Sequence, residues 1–170
     1  MNETGVAQAI RARLITDTGS GGLWETAGAN KALTITYIEG PKKTQASIEA
    51  MSPYIVVSLV HFAQDDTYEG DYGTYVFQLD VYDDNGSANT YGAVRGQNIG
   101  ERIFGDALAQ AGRVPTYGLH RHKLVLTTTG DAGAPYAGGL MYRTGVTPLH
   151  DVDFYRWAHT YEVRIGRQHT

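Results

Sequence analysis

The sequence has no cysteine in its 170 residues, which excludes a disulfide framework and any thiolate chemistry. It also has no apolar run near the ~18 residues that a membrane-spanning helix needs. Residues 1–15 carry charged side chains through their apolar stretch, so we expect neither a signal peptide nor a membrane partner. Positive charge is scarce as well. The formal net charge is −4, which argues against nucleic-acid binding through a basic surface.

What the chain does contain is typical of a folded protein. Hydrophobic residues make up 42% of the sequence and charged residues 19%, so we expect little disorder. The length suits one hydrophobic core, and we predict a single domain over residues 1–170. The 21 glycines indicate many turns, and the 12 tyrosines suit half-buried strands and contact surfaces.

The first half of the chain predicts one helix followed by three strands. Residues 4–15 show apolar positions at a spacing of four, which is typical of a helix, and the glycine-rich segment 17–22 ends it. Strands are predicted at 32–38, 53–62 and 74–82. The strand at 53–62 is apolar on both faces, which favours a central place in the sheet, and it pairs with 74–82 as an antiparallel hairpin. We interpret the segment between them, residues 64–73, as turn-rich.

The second half predicts a main helix at 87–111, then strands at 120–128 and 154–165. Glycines lie inside the helical pattern, and three of them share one face, which indicates a close approach to a sheet: Gly92, Gly96 and Gly100. We predict a long loop at 129–148. The expected fold class is α+β, an antiparallel β-sheet of about four to five strands with two helices packed on one face.

This order of elements resembles the tail terminator family of long-tailed bacteriophages, which includes tail completion proteins encoded among head–tail joining genes. The matching features are a helix that ends in a glycine-rich turn and a Pro-Tyr entering an apolar strand, Pro53-Tyr54-Ile55-Val56-Val57. A partner strand that ends in an acidic turn follows, TYVFQLDVYDD, then an amphipathic helix and two closing strands. The resemblance covers roughly residues 4–166. The connection at 39–52 and the loop at 129–148 depart from the shorter family members.

The resemblance implies a structural virion protein rather than an enzyme. Subunits of that family form a ring of six copies that caps the tail tube, stops its growth and meets the neck of the head. The implied partners are therefore further copies of the chain, tail-tube protein and a neck or stopper protein, with double-stranded DNA passing through the lumen without sequence recognition. The location would be the tail or neck of a virion assembled in the host cytoplasm. Another neck protein, a head-completion or stopper protein, fits the same class.

Two motifs leave chemical alternatives open. His120 and His122 form a His-x-His pair, so a metal site with other acidic or histidine residues is conceivable: His150, Asp151, Asp153 and His159. The alternative is a basic strand end facing solvent or a neighbour. The second motif is a group of acidic residues: Asp65, Asp66, Glu69 and Asp71. Their spacing does not match that of the ligands in a calcium-binding loop, so we interpret them as a solvated hairpin tip.

No other pattern indicates catalysis. The glycines at 19–22 follow a helix instead of joining a strand to a helix, so they do not predict a phosphate-binding loop. No Gly-x-Ser-x-Gly occurs, and no carboxylate pair stands out for acid–base work. We therefore predict a protein with no cofactor and no catalytic residue. An enzyme or ligand-binding domain that uses the two histidines is the remaining alternative.

The predicted contact residues lie in the 129–148 loop. Aromatic and methionine side chains in a loop indicate a contact patch for a partner: Tyr136, Leu140, Met141 and Tyr142. The alternative is that this loop folds down over a sheet edge. In the first case the apolar side chains would be the anchors of the interface.

Overall fold

The computed structural model describes residues 3–19, 22–23, 35–36, 53–67, 70–84, 91–124, 136–150 and 154–167. Within these residues the helices are α1 (Glu3–Ile15), α2 (Tyr91–Phe104) and α3 (Ala107–Gln110). The strands are β1 (Ile35–Thr36), β2 (Tyr54–Thr67), β3 (Gly70–Asp84), β4 (Tyr136–His150) and β5 (Phe154–Arg167). They form one sheet in the order β1-β2-β3-β5-β4.

The fold class is α+β, as predicted. Strands β2, β3, β5 and β4 pair antiparallel, and β1 joins β2 in parallel. Side chains on one face of the sheet pack with α1 and α2 into a buried cluster, which includes Val6, Ile10, Phe77, Ile103 and Tyr161. The helices therefore cover one face of the sheet, because apolar residues alternate along the strands and line that face.

Helix α1 confirms the helix predicted at 4–15. Its apolar stripe is fully buried, with Val6 and Ile10 at 0% exposure and Leu14 at 1%. After the helix, Asp17 accepts a hydrogen bond from the backbone N–H of Leu23 at 3.1 Å, which folds the glycine-rich turn back. Leu23 is itself 1% exposed, so the turn returns an apolar side chain to the core. Trp24 lies outside the described residues.

The hairpin of β2 and β3 is confirmed, but it is longer than predicted. Val57 faces Leu79 and Asp65 faces Tyr72, so the pairing continues through most of the segment 64–73 that we interpreted as turn-rich. Cross-strand hydrogen bonding overrides the turn propensity of the Asp and Gly residues there. The acidic group is therefore on paired strand ends at Asp65, Asp66 and Asp71, while Glu69 lies outside the described residues.

Strand β2 lies between β1 and β3, not at an edge, as its apolar sequence suggested. Its second half is not covered, however, since Val60 is 57% exposed and Phe62 is 42% exposed. A register shift between Leu59 and His61 interrupts the alternation there. Only Ile35–Thr36 of the strand predicted at 32–38 belongs to the described residues, and the 39–52 connection lies outside them.

The predicted helix at 87–111 is divided. Helix α2 ends at Phe104, because Gly105 adopts φ +133°, and Asp106 then caps the short α3 by accepting a hydrogen bond from the Leu108 N–H. The close approach to the sheet is confirmed at two of the three glycines. A Cβ at Gly96 would lie 2.8 Å from the Trp157 ring, and one at Gly100 would overlap the His159 ring.

The C-terminal half corrects two predictions. The strand at 120–128 is wrong over its described part, where residues 117–122 turn and Lys123 forms an isolated bridge with Leu140. The loop at 129–148 is also wrong from Tyr136 onward, because these residues form β4. The strand at 154–165 is confirmed as β5, which pairs with β3 and β4.

Candidate partner-contact surface

The predicted contact residues lie on β4 with different exposures. Tyr136 is the first residue of the strand. Leu140 is half-buried, Met141 is 0% exposed within the core, and Tyr142 is 41% exposed. Strand alternation explains the difference between Met141 and Tyr142, because neighbouring side chains point to opposite faces. Met141 therefore cannot be an exposed anchor, whereas Tyr142 is exposed and remains a predicted contact residue.

Tyr142 belongs to a row of aromatic and arginine side chains from three elements. The ring of His120 meets Tyr142 edge-on at 5.9 Å between centroids and stacks on Phe104 at 4.4 Å. The Arg121 guanidinium lies 5.8 Å from the Tyr142 ring centroid, and that of Arg143 lies 3.9 Å from the Phe104 ring centroid. We call these five residues the Tyr142 surface. Cation–π and ring contacts of this kind fix the side chains before any partner arrives.

The loop that carries His120 and Arg121 is held by the backbone on both sides. The N–H of Leu119 donates to the Ile103 carbonyl at 2.8 Å, and that of His120 donates to the Phe104 carbonyl at 3.0 Å. On the other side, the Arg121 N–H donates to the Met141 carbonyl at 2.6 Å. The loop thus bridges the end of α2 and the outer edge of β4.

Arg13 of α1 also holds this loop in place. Its guanidinium donates to three backbone carbonyls, at 3.1 Å to Gly118, 3.2 Å to Pro115 and 2.9 Å to Thr116. Burial lowers the pKa of Arg13 from its usual value, while Asp17 and Asp106 act in the opposite direction. An arginine remains charged under such conditions, so these three bonds are charge-assisted.

Glycine is required where the loop closes against α2. Gly118 has φ +85°, and a Cβ there would lie 2.5 Å from the Gly105 Cα. Three residues further along, Arg121 has φ +60°, which is uncommon for a residue with a side chain. This backbone turn points the Arg121 guanidinium toward Tyr142. Such left-handed positions persist only where the surrounding structure holds them.

The charge of the Tyr142 surface comes from arginine, not from histidine. Burial is the main cause that lowers the pKa of His120, followed by the nearby Arg121 and Arg143 charges. Its Nδ1 accepts a hydrogen bond from the Arg143 backbone N–H at 3.1 Å, which assigns the proton of the neutral ring to Nε2. The ring therefore acts as a neutral spacer between Phe104 and Tyr142.

The His-x-His pair does not form a strand-face metal site in the described residues. Nδ1 of His120 is already engaged by Arg143, and burial together with the Arg13 charge lowers the pKa of His122 to about 4. Across the described ranges, which leave out Asp151 and Asp153, no group of three or more metal-ligating side chains occurs. The alternative in which His120 and His122 act as metal ligands thus has no third ligand among these residues.

A second polar group lies on the sheet face opposite the helices. Asp80 is 4% exposed. Its carboxylate accepts hydrogen bonds from two nitrogens of the Arg156 guanidinium, at 3.0 and 2.9 Å. It also accepts from the Gln78 side-chain amide, at 2.9 and 3.0 Å. Beside it, Tyr54 and Tyr82 stack at 4.8 Å. Burial raises the pKa of Tyr54 to about 12, helped by Tyr82 and Asp80. The charges of Asp80 and Arg156 neutralise each other, so this group is a cross-strand ion pair and offers no free charge to a ligand.

A third polar group is buried between the sheet and α2. His159 is 1% exposed, and neither ring nitrogen has a hydrogen-bond partner, nor does the hydroxyl of the buried Tyr161. Burial, followed by the Arg143 charge, lowers the pKa of His159 to about 4. This histidine is therefore neutral at pH 7, and it contacts α2 at Gly100. It is not accessible to a partner.

The sequence indicated Tyr142 but missed the rest of its surface. Phe104 fell within the helix predicted at 87–111, and Arg121 and Arg143 were not singled out. No spacing in the sequence connects positions 104, 120 and 142, because the loop after α2 brings them together. As for membranes, none of the helices in the described part of the chain has the length and apolar character of a membrane span.

Comparison with known proteins found distant similarity to solved structures. No family model matches the chain, and no curated protein matches it. Among solved structures, the chain is similar to a chain of the virion of a native gene transfer agent particle, with 15% identity and a TM-score of 0.46, covering 93% of this chain and 98% of that chain. A second solved chain has 15% identity and a TM-score of 0.45, with 96% of both chains covered. At these values neither likeness assigns a family or a function to the protein.

Proposed function

We propose that the protein is a structural subunit of a phage-type virion, and that it acts as a tail terminator. In this role, copies of the chain form a ring of six that caps the tail tube, stops its growth and joins the tail to the neck. The support is the order of elements on which the resemblance rests: a helix, an apolar hairpin, an amphipathic helix and closing strands. The structure has that order in α1, β2–β3, α2 and β4–β5.

The observation that carries the proposal is the Tyr142 surface beside the outer edge of β4. Tyrosine and arginine are enriched at protein interfaces and dominate their binding energy. Here they are preordered by mutual contacts, which reduces the entropy lost on binding. Further along the same edge strand, Val146 is 39% exposed and Leu149 is 43% exposed. An edge strand with exposed apolar side chains is normally covered by another element or another subunit.

The dimensions of the sheet also suit a subunit that is completed by neighbours. Strands β2 and β3 have 14 and 15 residues, which corresponds to about 45 Å of strand. Helix α2 has 14 residues, or about 21 Å of helix. The helix thus covers about half the length of the hairpin. In a ring, the part of the hairpin that neither α1 nor α2 covers is available for contacts with adjacent copies.

The test is assembly of the purified full chain. We expect mass photometry and negative-stain images at rising concentration to show ring-shaped oligomers, and we expect these rings to bind the ends of polymerised tail-tube protein. Tyr142→Ala should weaken assembly by roughly tenfold or more, because it removes an exposed aromatic anchor. The matched control is Val94→Ala, an exposed apolar residue on α2 at 54% exposure, which should assemble as the wild type does.

A different result would overturn the proposal. A chain that stays monomeric at all concentrations, and that neither binds nor shortens tube polymers, is not a tail terminator. A neck stopper is distinguished in the same experiment, because it would bind the portal-side adaptor and leave the tube protein free.

A further inference from the structure

Charge is strongly segregated along this chain. Residues 44–94 contain eight carboxylates and no lysine or arginine. Residues 95–170 contain nine lysines and arginines against six carboxylates. The first range includes the whole β2–β3 hairpin, and the second includes the whole Tyr142 surface. A mildly acidic protein thus contains one strongly acidic region and one basic region.

Pairing concentrates part of the negative charge at one end of the hairpin. Asp65 faces Tyr72, Asp66 faces Asp71, and Thr67 faces Gly70 at the last pair before the turn. We call Asp65, Asp66 and Asp71 the acidic hairpin end. Two other carboxylates of the hairpin are neutralised within the protein, Asp80 by Arg156 and Asp83 by Arg95.

Positive charge surrounds Tyr142 in turn. Arg113 and Lys123 are exposed, and the Arg121 guanidinium lies beside Gly112, next to Arg113, where a Cβ would be 3.7 Å from it. None of these three cations forms a salt bridge within the described part of the chain. Unneutralised cations around an exposed tyrosine are suited to bind carboxylates on a partner.

The acidic hairpin end cannot reach this surface in its own subunit. Tyr142 pairs with Glu162, which pairs with Val76 on the hairpin. From Val76 to Gly70 the strand runs on for about six residues, or about 20 Å. Two strand spacings, about 10 Å, separate β3 from β4 in addition. Because paired strands are stiff, a contact between the two charged regions requires two molecules.

We infer that the Tyr142 surface, with Arg113 and Lys123, docks the acidic hairpin end of a second copy of this chain. The inference rests on the proposed ring and names the contact that closes it. Each copy would offer a hairpin end to one neighbour and a Tyr142 surface to the other, which is a heterologous contact and generates a ring when the rotation closes. Free phosphate or DNA would pair with the cations but would offer no apolar contact to the exposed Tyr142 ring.

Charge reversal on the two sides tests this contact. Arg113→Glu/Lys123→Glu and Asp65→Lys/Asp66→Lys should each reduce self-assembly by roughly tenfold or more, since each places like charges together. Mixing the two variants should restore oligomers in which they alternate, because both kinds of contact between unlike subunits then pair opposite charges. The single change Lys123→Glu is compared with Arg11→Glu on α1, which carries the same charge change away from the surface and should leave assembly intact. Circular dichroism and thermal melting confirm that each variant is folded.

The outcomes separate this inference from the proposed function. If the wild type forms rings and neither charge-reversed variant affects them, the ring stands and the contact named here is wrong. If the wild type never assembles, alone or on tube protein, the proposed function fails first. If wild-type protein binds duplex DNA, and Arg113→Glu/Lys123→Glu abolishes that binding while rings persist, the surface serves DNA and the inference is overturned. Loss of assembly in both variants together with rescue on mixing supports it.

Discussion

At the scale of single residues, His159 occupies an unusual position. A buried polar group without a hydrogen bond costs free energy, and both ring nitrogens of His159 lack a partner, as does the Tyr161 hydroxyl. The ring lies against the α2 backbone at Gly100. The close approach of the helix to the sheet therefore excludes water from this histidine. Leu79 faces it from β3, and the charge that acts on it most is Arg143 of β4.

This position predicts a pH-dependent stability. The pKa of His159 is lowered from 6.5 to about 4 in the folded protein, so between these values the unfolded chain binds the proton more readily. The contribution of His159 to stability is therefore complete above pH 6.5 and is lost as the pH falls toward 4. His159→Leu should reduce the difference between the free energies of unfolding measured in urea at pH 7 and at pH 4.5. It should also stabilise the protein at pH 7 by about 1 kcal/mol, since an unsatisfied polar group is removed.

The control for this measurement is Tyr161→Phe. It removes the neighbouring unsatisfied hydroxyl, whose pKa is raised by burial and which does not titrate between pH 4 and 7. Tyr161→Phe should raise stability equally at both pH values. A His159→Leu variant with the same pH slope as the wild type would contradict the assignment.

At the scale of elements, the ion pair between Asp17 and Arg102 connects the end of α1 to the end of α2. The Arg102 fork donates to both carboxylate oxygens at 2.7 and 2.6 Å, and the guanidinium also lies 3.4 Å from the Tyr117 ring centroid. The hydrogen bond from Arg102 to Asp17 is the main cause that raises the pKa of Arg102. Since Asp17 is 7% exposed, this is a buried contact that orients both helices on the sheet.

Removing the carboxylate should therefore be costly. Asp17→Ala leaves a largely buried guanidinium unpaired and frees the Leu23 N–H, so we expect a loss of about 3 kcal/mol in the free energy of unfolding. Glu101→Gln is the contrast, because Glu101 meets Arg143 at 3.4 Å with half of its side chain exposed. That change should cost less than about 0.5 kcal/mol. Chemical denaturation of both variants checks the difference, and equal losses would show that the Asp17 pair is not structural.

The elements also show which parts of the fold were predictable. Helix α1, the β2–β3 pair and β5 follow simple periods of 3.6 or 2, because one side of each faces the core. Strand β4 was missed because glycines and Pro148 are typical of loops, and because register shifts at Gly138/Met141 and Arg143/Gly145 break the alternation. An edge strand tolerates these residues. The break at Gly105 carried a signal, since Asp106 follows it as a capping residue.

The proposed contact surface was less predictable than the fold. Tyr142 was indicated by its type, but its neighbours Phe104 and Arg143 depend on the loop that bridges α2 and β4. The turn at Arg121 contradicts the alternation that predicted a strand at 120–128, because a positive φ cannot continue a strand. Tertiary contacts, such as those of Arg13 with the loop carbonyls, decide this path and leave no local pattern.

At the scale of the whole molecule, the outer edge of β4 is where assembly should be visible. Among the described residues the sheet ends at β4, and residues 121–124 cover its first part, through bonds such as Met141 N–H to the His122 carbonyl at 3.0 Å. From residue 146 to His150 all side chains are exposed. Unpaired edge amides exchange with solvent rapidly, whereas those covered by a neighbour are protected.

Hydrogen exchange should thus distinguish the subunit from the ring. In dilute, dissociated protein we expect peptides covering 144–150 to exchange quickly and those of β3, inside the sheet, to exchange slowly. On assembly, protection should increase at 144–150 and around Tyr142 while β3 remains unchanged, because its amides are already bonded on both sides. The Tyr142→Ala variant at the same concentration is the matched control, as it should retain the exchange pattern of the free subunit. Protection that increases only on the face of α2, with β4 unchanged, would place the contact between subunits on the helical layer and not at this edge.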